Sequence, residues 1–460
     1  MPSTGKWITV ALVSAFVSAG CTPHKLYRTD TEPCVSSQPA QDCQEQALQE
    51  FKDPAHPDAG YLLGFIEFDD QGQVFERQQM DAVLTALQTE AASKNLLMVV
   101  FVHGWKHSAA PGDTNIETFR RSLERISELE SRISRETGAE ARKVVGIYLG
   151  WRGGSVTVPG VKELTFWDRK NTAHKVGHGG VTEVVSRLEL VRKTKDAMEG
   201  EQGRSRTRLV VIGHSFGGAV VYSALSQILA TGFVDTVGPA GTITDVKGFG
   251  DLVVLINPAF EATLFTSLSD MANERPSYFP AQLPVIAVLT SEADDATKRA
   301  FPMGRWFSTF FEKHREETRK NGVTGEAEVI DQKKANITAV GHFEPYRTHY
   351  LRPAVEPGVE TPDQPSVEAS VERFFDVSHR WENDAPGSVI EFEGSVLART
   401  PNSAGRNPYL VIRVDEQLIR DHNDIDDWRI ASFVRQLILI AGQSEDLGER
   451  RLMRTRAFRN

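Results

Sequence analysis

The chain has 460 residues, 40% of them hydrophobic, enough to bury the core of one large catalytic domain or two smaller ones. Its formal net charge of −10 argues against a general nucleic-acid binder. All three cysteines, Cys21, Cys34 and Cys43, lie near the N-terminus, which excludes cysteine catalysis and cysteine-ligated zinc from everything after them.

Residues 1–20 read as a secretory signal. Lys6 supplies the positive region, and the apolar run from Trp7 to Ala19 is too short to span a bilayer comfortably; Ser18-Ala19-Gly20 are small. The end of this segment resembles a bacterial lipoprotein signal. That resemblance implies cleavage before Cys21, lipidation of Cys21 and, with Thr22 next, an outer-membrane address facing the periplasm. Ser18 stands where such signals usually carry Leu, so cleavage after Ala19, leaving a periplasmic protein, is the alternative. With Cys21 lipidated, Cys34 and Cys43 remain as a pair in an oxidising compartment, either as a disulfide loop or as two free thiols. Residues 21–58 are polar and hold Pro23, Pro33, Pro39, Pro54 and Pro57, which reads as a tether.

The folded part begins with a strand over 61–68. Residues 76–93 have helical spacing, with Met80, Val83, Leu84 and Leu87 on one face. Leu96 to Val102 is wholly apolar, as a central parallel strand should be. A helix over 116–135 and a strand over 143–149 follow. Residues 155–180 are irregular and Gly/Thr/His-rich, a pocket wall or lid before a helix over 181–200. A strand from Arg208 leads into a helix over 217–230, and strands over 251–256 and 283–289 come next. Residues 297–405 are poorly periodic and read as an excursion. A last strand over 409–414 and a helix over 426–441 close the domain at 442, before a basic tail over 443–460. Seven or eight strands alternating with helices predict an α/β domain with a mostly parallel central sheet covered by helices on both faces.

The stretch Val210-Val211-Ile212-Gly213-His214-Ser215-Phe216-Gly217-Gly218 puts a Gly-x-Ser-x-Gly turn between a strand and a helix. Gly213 and Gly217 flank Ser215 where the backbone must turn sharply. On this motif the chain resembles the α/β-hydrolase superfamily over about 61–442, with 297–405 fitting poorly, and in particular secreted or membrane-associated serine hydrolases of bacteria and fungi. The resemblance implies a nucleophile, an acid and a histidine in that order. Ser215 takes the first place. The acid follows the 283–289 strand: Asp294 is preferred, Asp295 and Glu292 are alternatives, and Glu261 lies one strand earlier. The histidine follows the last strand, which favours His422 over His342 and His349. The oxyanion hole draws one N–H from Phe216 and one from Trp105 in His103-Gly104-Trp105, where Gly104 allows close approach and His103 orients the loop. Trp151 and Arg152 either shape a substrate pocket or simply pack.

The implied activity is hydrolysis of a carboxylic ester, small or lipid-like, with no cofactor. An acyltransferase, thioesterase or amidase would use the same residues, and a non-catalytic envelope lipoprotein on this scaffold is the reading from another class. No metal-binding motif is present: His174 and His178 are four apart, but Gly177, Gly179 and Gly180 interrupt helical spacing there.

Overall fold

The computed structural model describes residues 23–54, 59–154, 166–199, 205–238, 243–279, 282–309, 311–355, 363–383 and 389–441. The signal segment, Cys21, the basic tail over 443–460 and part of the 155–180 insertion lie outside the described residues.

In chain order the elements are β1 (Cys34–Ser36), β2 (Leu48–Lys52), β3 (Gly60–Phe68), α1 (Arg77–Ser93), β4 (Leu96–Val102), α2 (Thr114–Thr137), β5 (Lys143–Trp151), α3 (Phe166–Val176), α4 (Thr182–Glu199), β6 (Arg208–His214), α5 (Phe216–Val234), β7 (Leu252–Ile256), α6 (Ala262–Asn273) and β8 (Ile286–Ser291). After β8 come α7 (Phe301–Ser308), β9 (Glu316–Lys320), β10 (Ala327–Asp331), α8 (Gln332–Ile337), β11 (His349–Pro353), α9 (Val367–Asn383), β12 (Ile390–Phe392), β13 (Ser395–Arg399), β14 (Tyr409–Val414) and α10 (Trp428–Ala441).

One 12-stranded sheet runs β1-β2-β3-β5-β4-β6-β7-β8-β14-β11-β13-β12. From β3 through β11 every neighbouring pair is parallel. β2 is antiparallel to β3, and β13 and β12 return antiparallel beyond β11. The class is therefore α/β, with a large, mostly parallel sheet flanked by helices. β4 shows why its run is apolar without alternation. Met98, Val100 and Val102 enter the core beneath α1, α4 and α5, while Leu97, Val99 and Phe101 enter the core beneath α2, α9 and α10. A strand buried on both faces has no side on which a polar residue is solvated.

Two expectations change. Residues 21–58 are not a free tether over their described part. β1 and β2 extend the sheet, Cys43, Ala47, Leu48 and Gln49 are buried, and Cys34 is bonded to Cys43. Residues 297–405 are not a mere excursion, because β11, β13 and β12 continue the sheet past β14, and β9 and β10 form a separate hairpin. The glycines at 177–180 interrupt the helix as expected: Gly179 has non-helical φ −96° and ψ −121°, so α3 and α4 meet across a kink. A Cβ on Gly177 would lie 2.4 Å from the Val220 carbonyl oxygen, so close packing against α5 requires glycine there.

Candidate functional site

β6, β7, β8 and β14 are consecutive in the sheet and parallel. Their C-terminal ends lie side by side, and each is followed by a residue of the site: Ser215 after β6, Asn257 after β7, Asp294 after β8 and His422 in the loop after β14. The crevice beyond the carboxyl ends of parallel strands is where α/β sheets place their sites.

Ser215 sits at φ 57° and ψ −121°, a region a residue with a side chain seldom occupies. Surrounding structure fixes it: the Ser215 amide donates to the Ile256 carbonyl at 2.9 Å, and the Ser215 carbonyl accepts from Gly218 at 3.0 Å and Ala259 at 3.1 Å. A Cβ on Gly217 would lie 2.0 Å from the Val102 carbonyl oxygen, so only glycine lets α5 start against β4.

The Ser215 hydroxyl lies 2.6 Å from His422 Nε2, and His422 Nδ1 lies 2.9 Å from Asp294 Oδ1. A carboxylate only accepts, so Nδ1 carries the proton and Nε2 is left to accept from the serine. Asp294 is fully buried. Burial alone would raise its pKa, but the bonds from His422 and Thr297 outweigh burial and hold the carboxyl below its ordinary value. Thr297 donates its amide to Oδ1 at 3.1 Å and its hydroxyl to Oδ2.

The alternatives fall elsewhere. Asp295 is exposed and pairs with Arg299 at 3.2 Å; Glu292 pairs with Arg413; Glu261 is buried between Lys170 and Arg305. His342 stands behind the acid, not beside the nucleophile. Its Nε2 is 2.9 Å from the Thr297 hydroxyl, which already donates to Asp294 and so accepts from His342. His349 is buried on β11 against the Thr348 hydroxyl, at 2.9 Å.

Two residues that sequence reasoning passed over hold the His422 loop. His214 Nε2 donates to the His422 carbonyl at 2.9 Å, and Asn257 Nδ2 donates to the same oxygen at 3.0 Å. Asn257 Oδ1 in turn accepts the Ser291 amide at 3.0 Å, tying β7 to β8. The signal for Asn257 was its place at the end of an apolar strand, before Pro258. His214 was hidden as a variable position inside the elbow.

The loop after β4 abuts the nucleophile: a Cβ on Gly104 would come within 2.7 Å of the Ser215 Cβ. His103 staples this loop. Its Nδ1 donates to the Gly104 carbonyl at 2.9 Å, its Nε2 accepts the Trp151 amide at 3.0 Å, and the Trp151 indole donates to the His103 carbonyl at 3.0 Å. The two rings stack 5.7 Å apart. Trp151 thus packs, while Arg152 pairs with Asp70. Trp105 is half-buried under Lys106, and α5 begins at Phe216, directly after Ser215. The first amides of a helix have no partner within the helix, and its dipole favours negative charge there. Among the described residues no group of three or more His, Cys, Asp or Glu is placed to hold a metal ion, and His174 bonds to the Ser223 hydroxyl at 2.8 Å.

Burial pushes His103 down to about 4, and His214 and His349 down to about 3, from an unfolded value of 6.5. Below pH 6.5 the unfolded chain binds protons that these three sites refuse. Their contribution is fully present above pH 6.5 and is lost as pH falls toward the folded values. Each histidine then costs about 1.4 kcal/mol per pH unit, and the three together about 4 kcal/mol per unit. Stability measured by urea unfolding should be flat from pH 8 to 7 and fall steeply from pH 6 to 5. A flat profile down to pH 5 would contradict burial of these rings as neutral imidazoles.

No family model and no curated protein sequence matches the chain. Its class rests on the α/β fold and on the buried Ser215–His422–Asp294 array at the strand ends.

Proposed function

We propose that this chain is a serine hydrolase of the α/β-hydrolase kind, cleaving carboxylic esters through an acyl-enzyme. The observation that carries the reading is the unbroken hydrogen-bond line from the Ser215 hydroxyl through both nitrogens of His422 to buried Asp294, at 2.6 and 2.9 Å. Ser215 Oγ attacks the ester carbonyl carbon as its proton passes to His422 Nε2. Asp294, itself fully buried, stabilises the imidazolium that forms. Amides of Phe216 and Trp105 receive the oxyanion. His422 then gives its proton to the leaving alkoxide. Water repeats the sequence on the acyl-enzyme and returns Ser215 to its starting state.

The nucleophile–acid–histidine order in the chain supports the α/β-hydrolase assignment. The Cys34–Cys43 bond supports an oxidising compartment and hence export to the cell envelope, with Cys21 as the lipid anchor at the outer membrane. Anchoring there brings lipid and lipophilic esters within reach.

The test is a panel of p-nitrophenyl esters of rising chain length, with a matched thioester and anilide, measured on the wild type and on Ser215→Ala. Ester turnover that falls by about 10⁴-fold or more in Ser215→Ala is the expected result. Preference for the thioester or anilide would move the reading to those chemistries. A folded wild type that turns over none of them would leave a non-catalytic envelope protein.

A further inference from the structure

A hollow of about 180 Å³ lies between the sheet and the helices α2 and α10. Phe101, Ile212 and Ile256 form its floor, and Phe119 and Val434 its walls. These floor residues belong to central strands, yet they keep 7%, 7% and 6% of their surface, while their chain neighbours Val100, Val211 and Leu255 are sealed at 0%. Protein interiors close-pack, and a gap over the middle of a sheet is an exception to that rule.

The hollow also holds a charge with no direct partner. Arg435 of α10 lines it and is only 6% exposed, yet among the described residues it has no hydrogen bond or ion pair. Burial, followed by repulsion from Arg125, pushes the Arg435 pKa down to about 10, only partly offset by the carboxylates of Glu393 and Glu128. Arg125 also lines the hollow. It spends its terminal nitrogens on Glu128 at 3.1 Å, the Pro365 carbonyl at 2.8 Å and the Ser370 hydroxyl at 3.1 Å, but its Nε is buried without a partner. Burying a guanidinium whose donors have no hydrogen-bonded anion is costly, and a planar anion meets its fork of donors best.

We propose that this hollow binds a single-chain anionic amphiphile, an alkyl carboxylate. Its tail lies on Phe101, Ile212 and Ile256, and its carboxylate meets Arg435 and the free Nε of Arg125. Apolar walls alone would suit many occupants; the unpaired guanidinium at one end selects a carboxylate head. Ile425 and Asp426, from the loop that carries His422, line the same hollow, and Thr118 of α2 donates to Asp426 at 2.8 Å. A bound carboxylate therefore touches the segment that positions the catalytic imidazole. It does so from the face of the sheet opposite α5, outside the Ser215 crevice.

The experiment is calorimetric titration of the wild-type chain and of Ser215→Ala with hexanoate, octanoate and decanoate, against octanol and octyltrimethylammonium. Carboxylates should bind both proteins equally, more tightly with each added pair of carbons, and the two controls should bind at least about thirtyfold more weakly. Equal binding to Ser215→Ala separates this site from the catalytic one, so the result stands whether or not esters are turned over. Arg435→Met should weaken octanoate binding by about thirtyfold or more and, with no ligand present, raise Tm, because it removes an unpaired buried charge. Ala431→Phe, which fills the hollow from α10, should abolish binding while the chain stays folded. Octanoate binding unchanged in both variants would overturn the proposal, as would octanol binding as tightly as octanoate. A lower Tm for Arg435→Met would show that the guanidinium is already paired. A dimer that Ala431→Phe dissociates would make a second copy of the chain the occupant.

Discussion

Asp294→Asn is expected to lower kcat by about 10³- to 10⁴-fold with little change in KM. The carboxylate accepts from His422 Nδ1 and from the Thr297 amide at one oxygen, and from the Thr297 hydroxyl at the other. An amide in its place has two orientations. With its nitrogen toward His422, it forces the proton onto Nε2 and removes the acceptor that Ser215 needs. With its oxygen toward His422, the geometry survives, but no carboxylate offsets the imidazolium charge. Four decades of rate correspond to about 5.4 kcal/mol of transition-state stabilisation. KM changes little because Asp294 is fully buried and reaches the substrate only through His422. Steady-state kinetics on the best ester of the panel measures this. The neighbouring Asp295→Asn should stay within about twofold of wild type, since that carboxylate is exposed and only pairs with Arg299. Reversal of the two effects would mean that β8 is placed one residue out of register.

Gly217→Ala should remove both activity and a large part of the stability. Its Cβ would meet the Val102 carbonyl oxygen at 2.0 Å and the His103 carbonyl oxygen at 2.6 Å. Both contacts are backbone, so no side-chain rotation relieves them. Either α5 moves away from β4 and carries Ser215 off His422, or β4 is pushed out of a sheet closed on both faces. Overpacking against rigid backbone costs about 3 kcal/mol or more. Thermal unfolding should show the loss, together with a fall of at least about 10³-fold in ester turnover. An unaltered Tm with unaltered turnover would mean that α5 does not approach β4 as closely as described.

The central strands and the nucleophile were legible because their signals are local. β4 and β6 are continuous apolar runs, and Gly213-His214-Ser215-Phe216-Gly217 carries its own turn chemistry. Asp294 and His422 were legible as positions after particular strands, but choosing Asp294 over Asp295 depends on where the loop after β8 points. The edges of the sheet were not legible. β1 and β12 have three residues each, and β13 alternates small, apolar and charged residues. Such strands are defined by the neighbours they pair with, which for β13 with β11 lie more than 40 positions away. The glycines at 177–180 were legible as a helix break, whereas the close approach to α5 that requires Gly177 was not. His214 and Asn257 act on a backbone carbonyl more than 160 positions away, and nothing in their immediate neighbourhood in the chain marks that.

The central claim is that Ser215 is an activated nucleophile. Intact-mass analysis after brief exposure of the full chain to a fluorophosphonate tests it most directly. One adduct per chain is predicted, mapped by peptide digestion to Ser215, absent from Ser215→Ala and slowed by orders of magnitude in His422→Ala. A folded wild-type protein that takes up no label, or label that persists in Ser215→Ala, would contradict it.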